Sequence, residues 1–359
     1  MKTSKLIKKV IAIAALFLSC ASLAMAQDQQ IKTTFVQLDS GVPGVLYEPV
    51  TVSEKSQIAI FVMHSDDDYL TFSAGTEMAK RGYLVLCANT SGKNGSMDRK
   101  ILDAKLGVEY LRKYPGVQKV VLLGHSGGGT LMSAYQNIAE NGVKAGQGPE
   151  KIVKCSDSLA NLPPADGVML LDSNWGIAAM MLFSTDPAVM REGNGLMLNQ
   201  ELNLFNPANG FNPEGSIYSD EFIQKFVKAQ AKRYNQLIQT AQKRLRALES
   251  GKGNYTDDEP FIMTGVAQMG MNNKLYPQDI RLMSHTRKAW PLLHANGSIT
   301  TQVVHSVRLP TNKNSFTGSY NLGALNTTVR NFLSTYAVRV TDDYSIGEDF
   351  VHGIDWSSS

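Results

Sequence analysis

The sequence predicts an α/β fold built on a mostly parallel sheet, and two observations support this prediction. Between residues 57 and 172, short apolar runs typical of buried strands alternate with stretches whose apolar residues recur at helical spacing. One run, Val120–Leu123, stops abruptly at Gly124-His125-Ser126-Gly127-Gly128-Gly129, and a helical pattern follows it. Strands that alternate with helices at this spacing are joined by right-handed crossovers and therefore lie parallel.

The individual elements can be placed from the same patterns. Two opening antiparallel strands are expected to be joined through Gly41. The predicted strands are Ile31–Leu38, Gly44–Val50, Gln57–His64, Tyr83–Asn89, the run ending at Leu123, and Val168–Asp172. The predicted helices of this part are Ser73–Arg81, Asp98–Lys113 and Thr130–Gly142.

After Thr185 the alternation of strands and helices is lost. One long amphipathic helix is predicted over Glu221–Ser250, followed by a β-like run at Ile299–Pro310 and a last helix at Thr327–Val338. The long helix has an apolar stripe formed by Phe222, Phe226, Tyr234, Leu237, Ala241, Leu245 and Leu248. Its basic residues lie outside this stripe and are interpreted as a solvated face.

The first 26 residues have the pattern of a secretory signal. Four lysines precede an apolar run, Val10–Cys20, that is too short to span a bilayer, and Ala24-Met25-Ala26 supplies small residues before a cleavage point. We expect cleavage near Ala26 and export to the periplasm or the medium. A lipoprotein signal on Cys20 is less favoured, because the bulky Leu18 stands where a small residue is required.

The charge of the chain depends on this leader. The full sequence has 35 basic and 32 acidic residues, a net charge of +3, but the leader holds four of the lysines and no acidic residue. The remainder therefore has 31 basic against 32 acidic side chains, a net charge of −1. Nothing in this balance indicates a nucleic-acid partner or an anionic membrane surface. No later segment is apolar for long enough to insert stably into a membrane.

The sequence Gly124-His125-Ser126-Gly127-Gly128 is the main functional signal. Its G-x-S-x-G spacing, between a strand and a helix, predicts a sharp corner that presents the Ser126 hydroxyl. Gly124 and Gly128 are expected there because a Cβ at either position would collide across so tight a bend. The alternative interpretation is a glycine-rich turn without chemistry.

This corner resembles the nucleophile elbow of the α/β-hydrolase superfamily. The resemblance extends to the segments HSDDDYLTFSAG, LPPADGVMLLDSNWG, LFNPANGFNP and GIDW, and it is to a group of microbial secreted hydrolases that are mostly uncharacterised. It implies an α/β-hydrolase fold, a serine-hydrolase mechanism with Ser126 as the nucleophile, and no cofactor. The expected substrate class is a small-molecule ester or related acyl compound, and no metal is expected. The resemblance does not supply the substrate.

The resemblance also assigns the oxyanion hole. The family takes one backbone N–H from the residue after the nucleophile, here Gly127, and one from the turn after the third strand, here Ser65 or Asp66. Asp66, Asp67 and Asp68 also suggest a cation site, but a solvated loop that caps the next helix is favoured, since metal ligands come from separated positions.

The acid and the base are less clearly indicated. Asp172 closes the strand beside the nucleophile strand, where a triad acid would lie, but capping of the following helix or shaping of the pocket is the favoured interpretation. The order of the triad in this fold is Ser, acid, His, which leaves His285, His294, His305 and His352. Position near the carboxyl end favours His352, although no strand is seen to deliver it.

The pattern suggests a leader (1–26), a hydrolase core (27–184), a large mainly helical cap (185–345) and the start of a return to the core (346–359). The family sheet continues past the strand at Asp172 with two more strand–helix units, which are not found here. We therefore expect the last strands to be missing, one sheet edge to be uncovered, and the polypeptide to be nearly inactive and poorly stable. The alternative to an esterase-like serine hydrolase is a non-catalytic binding protein of the same fold, or a truncated inactive enzyme.

Overall fold

The computed structural model describes residues 30–92, 95–194, 197–212, 215–266, 288–303, 324–346 and 351–359. The leader, His285 and His305 lie outside the described residues. The first six strands are β1 (Ile31–Gln37), β2 (Pro43–Pro49), β3 (Ile58–Met63), β4 (Leu84–Ala88), β5 (Lys119–His125) and β6 (Gly167–Leu171). The others are β7 (Pro260–Thr264), β8 (Trp290–Leu293), β9 (Ile299–Gln302), β10 (Ala324–Thr328), β11 (Arg339–Ile346) and β12 (Val351–Asp355). The α-helices are α1 (Ser73–Lys80), α2 (Met97–Arg112), α3 (Gly127–Asn141), α4 (Ile177–Ser184), α5 (Asp220–Glu249) and the short α6 (Val329–Asn331).

The first six strands form one sheet in the order β1-β2-β4-β3-β5-β6. The pairs β1–β2 and β2–β4 are antiparallel, and the pairs β4–β3, β3–β5 and β5–β6 are parallel. This strand order, with flanking helices and a strand-to-helix corner after β5, is an α/β-hydrolase fold. The predicted fold class is confirmed, and the predicted strands of this part lie within two residues of the observed ones.

The sheet is buried on both faces at its centre. All five residues of β4 are buried, and so are the last five of β3. Helices α2 and α3 pack on one face in a core that includes Phe61 and Leu122, and α1 packs on the other face against Ile60 and Val85. Strands covered on both faces are apolar along their whole length, which explains the continuous apolar runs in the sequence.

Strand β6 lies at the edge of this sheet in the described part of the chain. Three of its apolar side chains are exposed: Val168 (38%), Leu170 (53%) and Leu171 (37%).

A second hydrophobic core is organised around α5. Six of the seven residues predicted for its apolar stripe are buried in this core, and Leu245 is partly buried against it. Phe226 and Tyr234 are fully buried, and each such side chain contributes about 1.5–3 kcal/mol to stability. The Tyr234 hydroxyl donates to the Ala178 carbonyl of α4 at 3.1 Å and to the Tyr336 carbonyl. Helix α4 therefore packs in this second core, whereas the predicted boundary at residue 184 assigned it to the hydrolase core.

Two local predictions differ from the structure. The last helix was expected to begin at Thr327, but β10 extends to Thr328, because this β-branched pair hydrogen-bonds in register with Pro260 and Phe261 of β7. The chain becomes helical only at Val329 and continues as a π-helical turn over Phe332–Tyr336. Capping of α4 by Asp172 is also wrong, since the N-cap is Gly176.

The chain near residue 358 contacts the loop that follows α3. The Ile152 N–H, in the loop after α3, donates to the Ser358 carbonyl at 2.8 Å.

Within the ranges that the structure describes, no helix combines the length and the apolar character that crossing a bilayer requires.

Candidate active site

Ser126 occupies a sharp corner between β5 and α3. Its backbone has φ 51° and ψ −120°, in a region that only glycine enters without strain. Such a conformation costs about 1–3 kcal/mol and persists only where the surroundings impose it. The serine is half-buried, with its strand on one side and its helix on the other. The strain lies in the one residue whose hydroxyl the turn presents.

The glycines on both sides are required by close contacts. A Cβ on Gly124 would lie 2.5 Å from the Gly129 Cα, and a Cβ on Gly128 would lie 2.4 Å from the Met63 carbonyl oxygen. Both distances are shorter than real Cβ contacts, and both neighbours are backbone atoms that cannot turn aside. The packing of α3 against β3 and β5 therefore depends on the glycines that the motif supplies.

Backbone hydrogen bonds hold the corner on the side of β6. The Ser126 N–H donates to the Leu171 carbonyl at 3.1 Å, and the Asn174 N–H donates to the Ser126 carbonyl at 3.3 Å. The parallel register pairs His125 with Leu171, so Asp172 follows β6 at the same level at which Ser126 follows β5. The carboxyl ends of these two strands thus lie side by side, as ligand sites in open α/β sheets require.

The turn after β3 lies on the other side of the corner, and His64 is its central residue. The imidazole is buried, and its Nδ1 atom accepts the N–H groups of Asp66 (3.0 Å) and Asp67 (2.9 Å). The Gly127 N–H points at the Nε2 atom of the same ring, 3.2 Å away. The ring therefore connects the turn to the first residue of α3.

A buried lysine fixes the same turn from α2. The Lys100 Nζ atom lies 2.7 Å from Asp66 Oδ1, and the lysine side chain is only 3% exposed. The second oxygen of Asp66 accepts the Ser65 hydroxyl at 2.6 Å. Ser65 itself is buried, and its Oγ lies 2.7 Å from where a Gly127 Cβ would be. Lys100 was not singled out from the sequence, because nothing local marks it as buried.

The predicted oxyanion donors are all located at this junction. The Gly127 N–H faces His64, and the Asp66 N–H is already engaged by Nδ1 of that ring. No hydrogen bond of the Ser65 N–H is found among the described residues. Two of the residues predicted for the hole, Asp66 and Gly127, therefore direct their N–H groups at one imidazole, that of His64, and Ser65 adjoins it in the chain.

The three successive aspartates have separate partners. Asp66 pairs with Lys100, Asp67 is largely exposed beside His64, and Asp68 accepts the Leu70 N–H at 3.0 Å and the Asn89 side-chain amide at 2.8 Å. The aspartates do not cap α1, whose N-cap residue is Phe72. In the described ranges, no group of three His, Cys, Asp or Glu side chains is arranged to hold a metal ion.

An aromatic cluster covers this junction. The Tyr69 ring stacks on His64 at 4.7 Å and on Phe72 at 4.5 Å, and its hydroxyl is 2.5 Å from His125 Nδ1. Burial lowers the pKa of His64, against an opposing effect of the Asp67 and Asp66 carboxylates. Burial therefore favours the neutral form of the imidazole. Sequence analysis missed Tyr69 and Phe72; their position just after the turn was the available signal.

The predicted acid, Asp172, and the predicted base, His352, both lie at exposed positions. Asp172 is exposed, with φ 42°, and His352 is an exposed residue of β12, opposite Ser345 in the two-stranded sheet of β11 and β12. The roles of Asp172 as the acid and of His352 as the base stay predictions. His294 Nε2 lies 2.7 Å from Thr300 Oγ1, in the hairpin of β8 and β9.

A cavity of about 370 Å³ lies beside α3, lined by Thr130 and Ala134 of that helix, by Trp175 and by Trp356. Ser126 is not among its lining residues. The cavity is therefore not assigned as the pocket for a group bonded to Ser126.

Comparisons with known proteins give partial likenesses only. No family model matches the chain, and no curated protein matches it. Among solved structures, the chain is similar to a phosphonate-inhibited esterase B from Lactobacillus rhamnosis (16% identity over 52% of this chain and 61% of that one, TM-score 0.32). It is also similar to a bacterial heroin esterase (11% identity, 47% and 52% coverage, TM-score 0.32) and to brefeldin A esterase, a bacterial homologue of human hormone-sensitive lipase (20% identity, 33% and 38% coverage, TM-score 0.25).

The chain spans between 21% and 61% of the length of the solved structures to which it is similar, a prolyl endopeptidase among them. Likenesses of this extent carry no argument about activity, which must come from the residues around Ser126.

Proposed function

We propose that this protein is a serine hydrolase that cleaves a carboxylic ester or a related acyl bond through an acyl-enzyme on Ser126. The observation that supports this most directly is the strained backbone of Ser126, φ 51° and ψ −120°, at the end of β5. A residue in this region costs stability, and a glycine would remove the cost. A serine that is kept there, with a backbone N–H of α3 beside it, suits attack on a carbonyl carbon.

The proposed reaction has two steps. The Ser126 oxygen bonds to the acyl carbon, the carbonyl π electrons move to the carbonyl oxygen, and a base takes the hydroxyl proton. Collapse of the oxyanion breaks the bond to the alcohol, which leaves with a proton, and water then releases the acid by the same sequence. The Gly127 N–H is one donor to the oxyanion. Asp172 and His352 stay predictions for the acid and the base.

The rest of the chain is proposed to serve this site. The second core around α5 is inferred to be a cap, over residues 185–345, on a hydrolase core of residues 27–184. Export after cleavage near Ala26 is inferred from the leader pattern. Amino-terminal sequencing of the protein recovered from producing cells checks the export proposal, and an uncleaved Met1 or a lipid-modified Cys20 would contradict it.

Labelling with a fluorophosphonate probe tests the nucleophile. The probe forms a bond between phosphorus and a serine oxygen with loss of fluoride, so the adduct is located by peptide mass spectrometry. We expect the adduct on Ser126 in the purified chain and its loss in Ser126→Ala. Ser133→Ala is a matched control on α3, since its hydroxyl donates to the Gly129 carbonyl away from the corner.

An adduct on a different serine, unchanged in Ser126→Ala, would contradict the assignment. An unlabelled protein that still binds acyl ligands would support the alternative, a binding protein of this fold.

A further inference from the structure

Three backbone N–H groups converge on the His64 imidazole. Those of Asp66 and Asp67 approach Nδ1 at 3.0 and 2.9 Å, and that of Gly127 approaches Nε2 at 3.2 Å. A neutral imidazole has one nitrogen that accepts and one that carries a proton. The ring therefore cannot accept at both nitrogens. At the nitrogen that carries the proton, the ring's N–H must point toward a backbone N–H.

The numbers of donors decide which nitrogen accepts. If Nδ1 accepts, the N–H groups of Asp66 and Asp67 approach its lone pair, and two donors lack an acceptor: the Gly127 N–H and the ring's own Nε2–H. If Nε2 accepts, three donors lack one: the N–H groups of Asp66 and Asp67 and the ring's Nδ1–H. A buried N–H without an acceptor is costly, so the first arrangement is favoured. Burial also lowers the pKa of His64, which disfavours the doubly protonated ring.

In the favoured tautomer, the proton on Nε2 and the N–H of Gly127 face one another at the corner that presents Ser126. No atom fits between two nitrogens 3.2 Å apart, but an acceptor oxygen beside the pair, about 2.9 Å from each nitrogen, would be within hydrogen-bond reach of both. A carbonyl oxygen has two lone pairs and gains a full negative charge when the serine attacks. Such an oxygen satisfies both donors, which the unliganded protein leaves opposed.

We propose that His64 is a catalytic residue whose Nε2–H, together with the Gly127 N–H, forms the oxyanion hole. This inference rests on the proposed function. The Asp66 N–H is occupied in holding Nδ1, so it does not serve as the second donor. The Ser65 N–H is the competing donor, which the tests below distinguish from His64. Asp66 and Asp67 act through the ring: their N–H groups fix its tautomer, and Lys100 fixes Asp66.

The first test is the tautomer itself, read by ¹⁵N NMR of protein with labelled histidine. We expect the ¹⁵N shifts and couplings of His64 to show a proton on Nε2 and a bare Nδ1 at neutral pH, with His64→Gln used to assign the signal. A proton on Nδ1 would overturn the proposal. This measurement does not depend on any activity.

The second test is the rate at which fluorophosphonate labels Ser126. We expect His64→Ala to slow labelling by about 10²–10³-fold, the loss typical of one oxyanion donor. His64→Gln is expected to recover part of the rate, because its amide N–H₂ can donate. His294→Ala, a histidine in the hairpin of β8 and β9, is the control and keeps the wild-type rate.

Thermal unfolding of each variant separates loss of the donor from loss of the fold. Labelling of a folded His64→Ala at the wild-type rate would overturn the proposal and leave the nucleophile assignment standing. If Ser126 in the wild-type chain is not labelled, the proposed function is wrong. The NMR measurement then still decides whether Nε2 carries the proton.

Discussion

The two turns beside Ser126, one after β3 and one after β6, differ in how completely their polar groups are bonded. In the turn after β3, His64 and Ser65 are buried, and Lys100 of α2 anchors Asp66 at 2.7 Å. In the turn after β6, Asp172 is exposed and has a left-handed backbone conformation. One side of the corner is fixed before any substrate arrives, and the other is open.

This difference separates two parts of catalysis. Stabilisation of an oxyanion depends on donors held in place beforehand, and it is often the largest single contribution to the rate. Activation of the serine needs a base and its acid, and loss of a triad member costs about 10⁴-fold. We therefore expect slow chemistry that depends on Ser126 and on the turn after β3, and that responds less to changes in Asp172.

The packing of the corner against β3 is tested by Gly128→Ala. The new Cβ would lie 2.4 Å from the Met63 carbonyl oxygen, so α3 must move away from the strand. We expect a loss of about 3 kcal/mol in the free energy of unfolding, measured by urea denaturation. Gly92→Ala is the control, because no atom lies within 4 Å of its added Cβ. An unchanged denaturation midpoint for Gly128→Ala would contradict the close packing.

The anchoring of the turn after β3 is tested by Lys100→Met. Removing a buried cation leaves Asp66 without its partner, and we expect about 2 kcal/mol of destabilisation together with slower labelling of Ser126. Lys105→Met on the same helix is the matched control, since the Lys105–Glu109 pair is longer, at 3.7 Å, and more exposed. The control should lose no more than about 0.5 kcal/mol. Equal effects of the two variants would show that Lys100 does not fix the turn.

The turn after β6 is tested by two substitutions of Asp172. Because a positive φ costs about 1 kcal/mol in a residue with a Cβ, Asp172→Gly should stabilise the protein by that amount. Asp172→Ala keeps the strain while it removes the carboxylate, and it should bring no such gain. Chemical denaturation of both variants measures the difference. If Asp172 is the triad acid, both variants also lose ester hydrolysis; retained hydrolysis in both would rule out that role.

The smallest expected effect concerns pH. Burial lowers the pKa of folded His64 below its ordinary value of 6.5, reinforced by His125 and Lys100 and opposed by Asp67 and Asp66. Between the two pKa values the unfolded chain binds a proton that the folded protein does not, so stability is lost as the pH falls below 6.5. His64→Gln should lose less stability than wild type between about pH 7.5 and pH 5. Equal losses, measured by urea denaturation at each pH, would contradict a buried neutral His64.

The features that sequence analysis predicted correctly are those that local pattern specifies. The alternation of strand and helix, the stripe on α5 and the corner at Ser126 each depend on residues close together in the chain. The glycines of the motif predict the tight contacts because no other residue fits there. The end of β10 was missed because pairing with β7, distant in sequence, decides it.

The environment of the site depends on contacts between distant segments. Lys100 and Asp66 are 34 residues apart, and Tyr69 and His125 are 56 residues apart. Neither pair has a local signature, since each forms only when α2 or β5 packs beside the turn after β3. The orientation of the His64 ring toward Gly127 has the same origin. Sequence analysis therefore located the turn but not the ring atom that faces the Gly127 N–H.

A crystal structure of the phosphonylated protein tests the central claim most directly. The account predicts a bond between phosphorus and the Ser126 oxygen, with the phosphonyl oxygen within hydrogen-bond distance of both Gly127 N and His64 Nε2. A phosphonyl oxygen held by the Gly127 and Ser65 N–H groups, with the His64 ring turned away, would contradict the role of His64. An adduct on any other residue would contradict the assignment of Ser126 as the nucleophile.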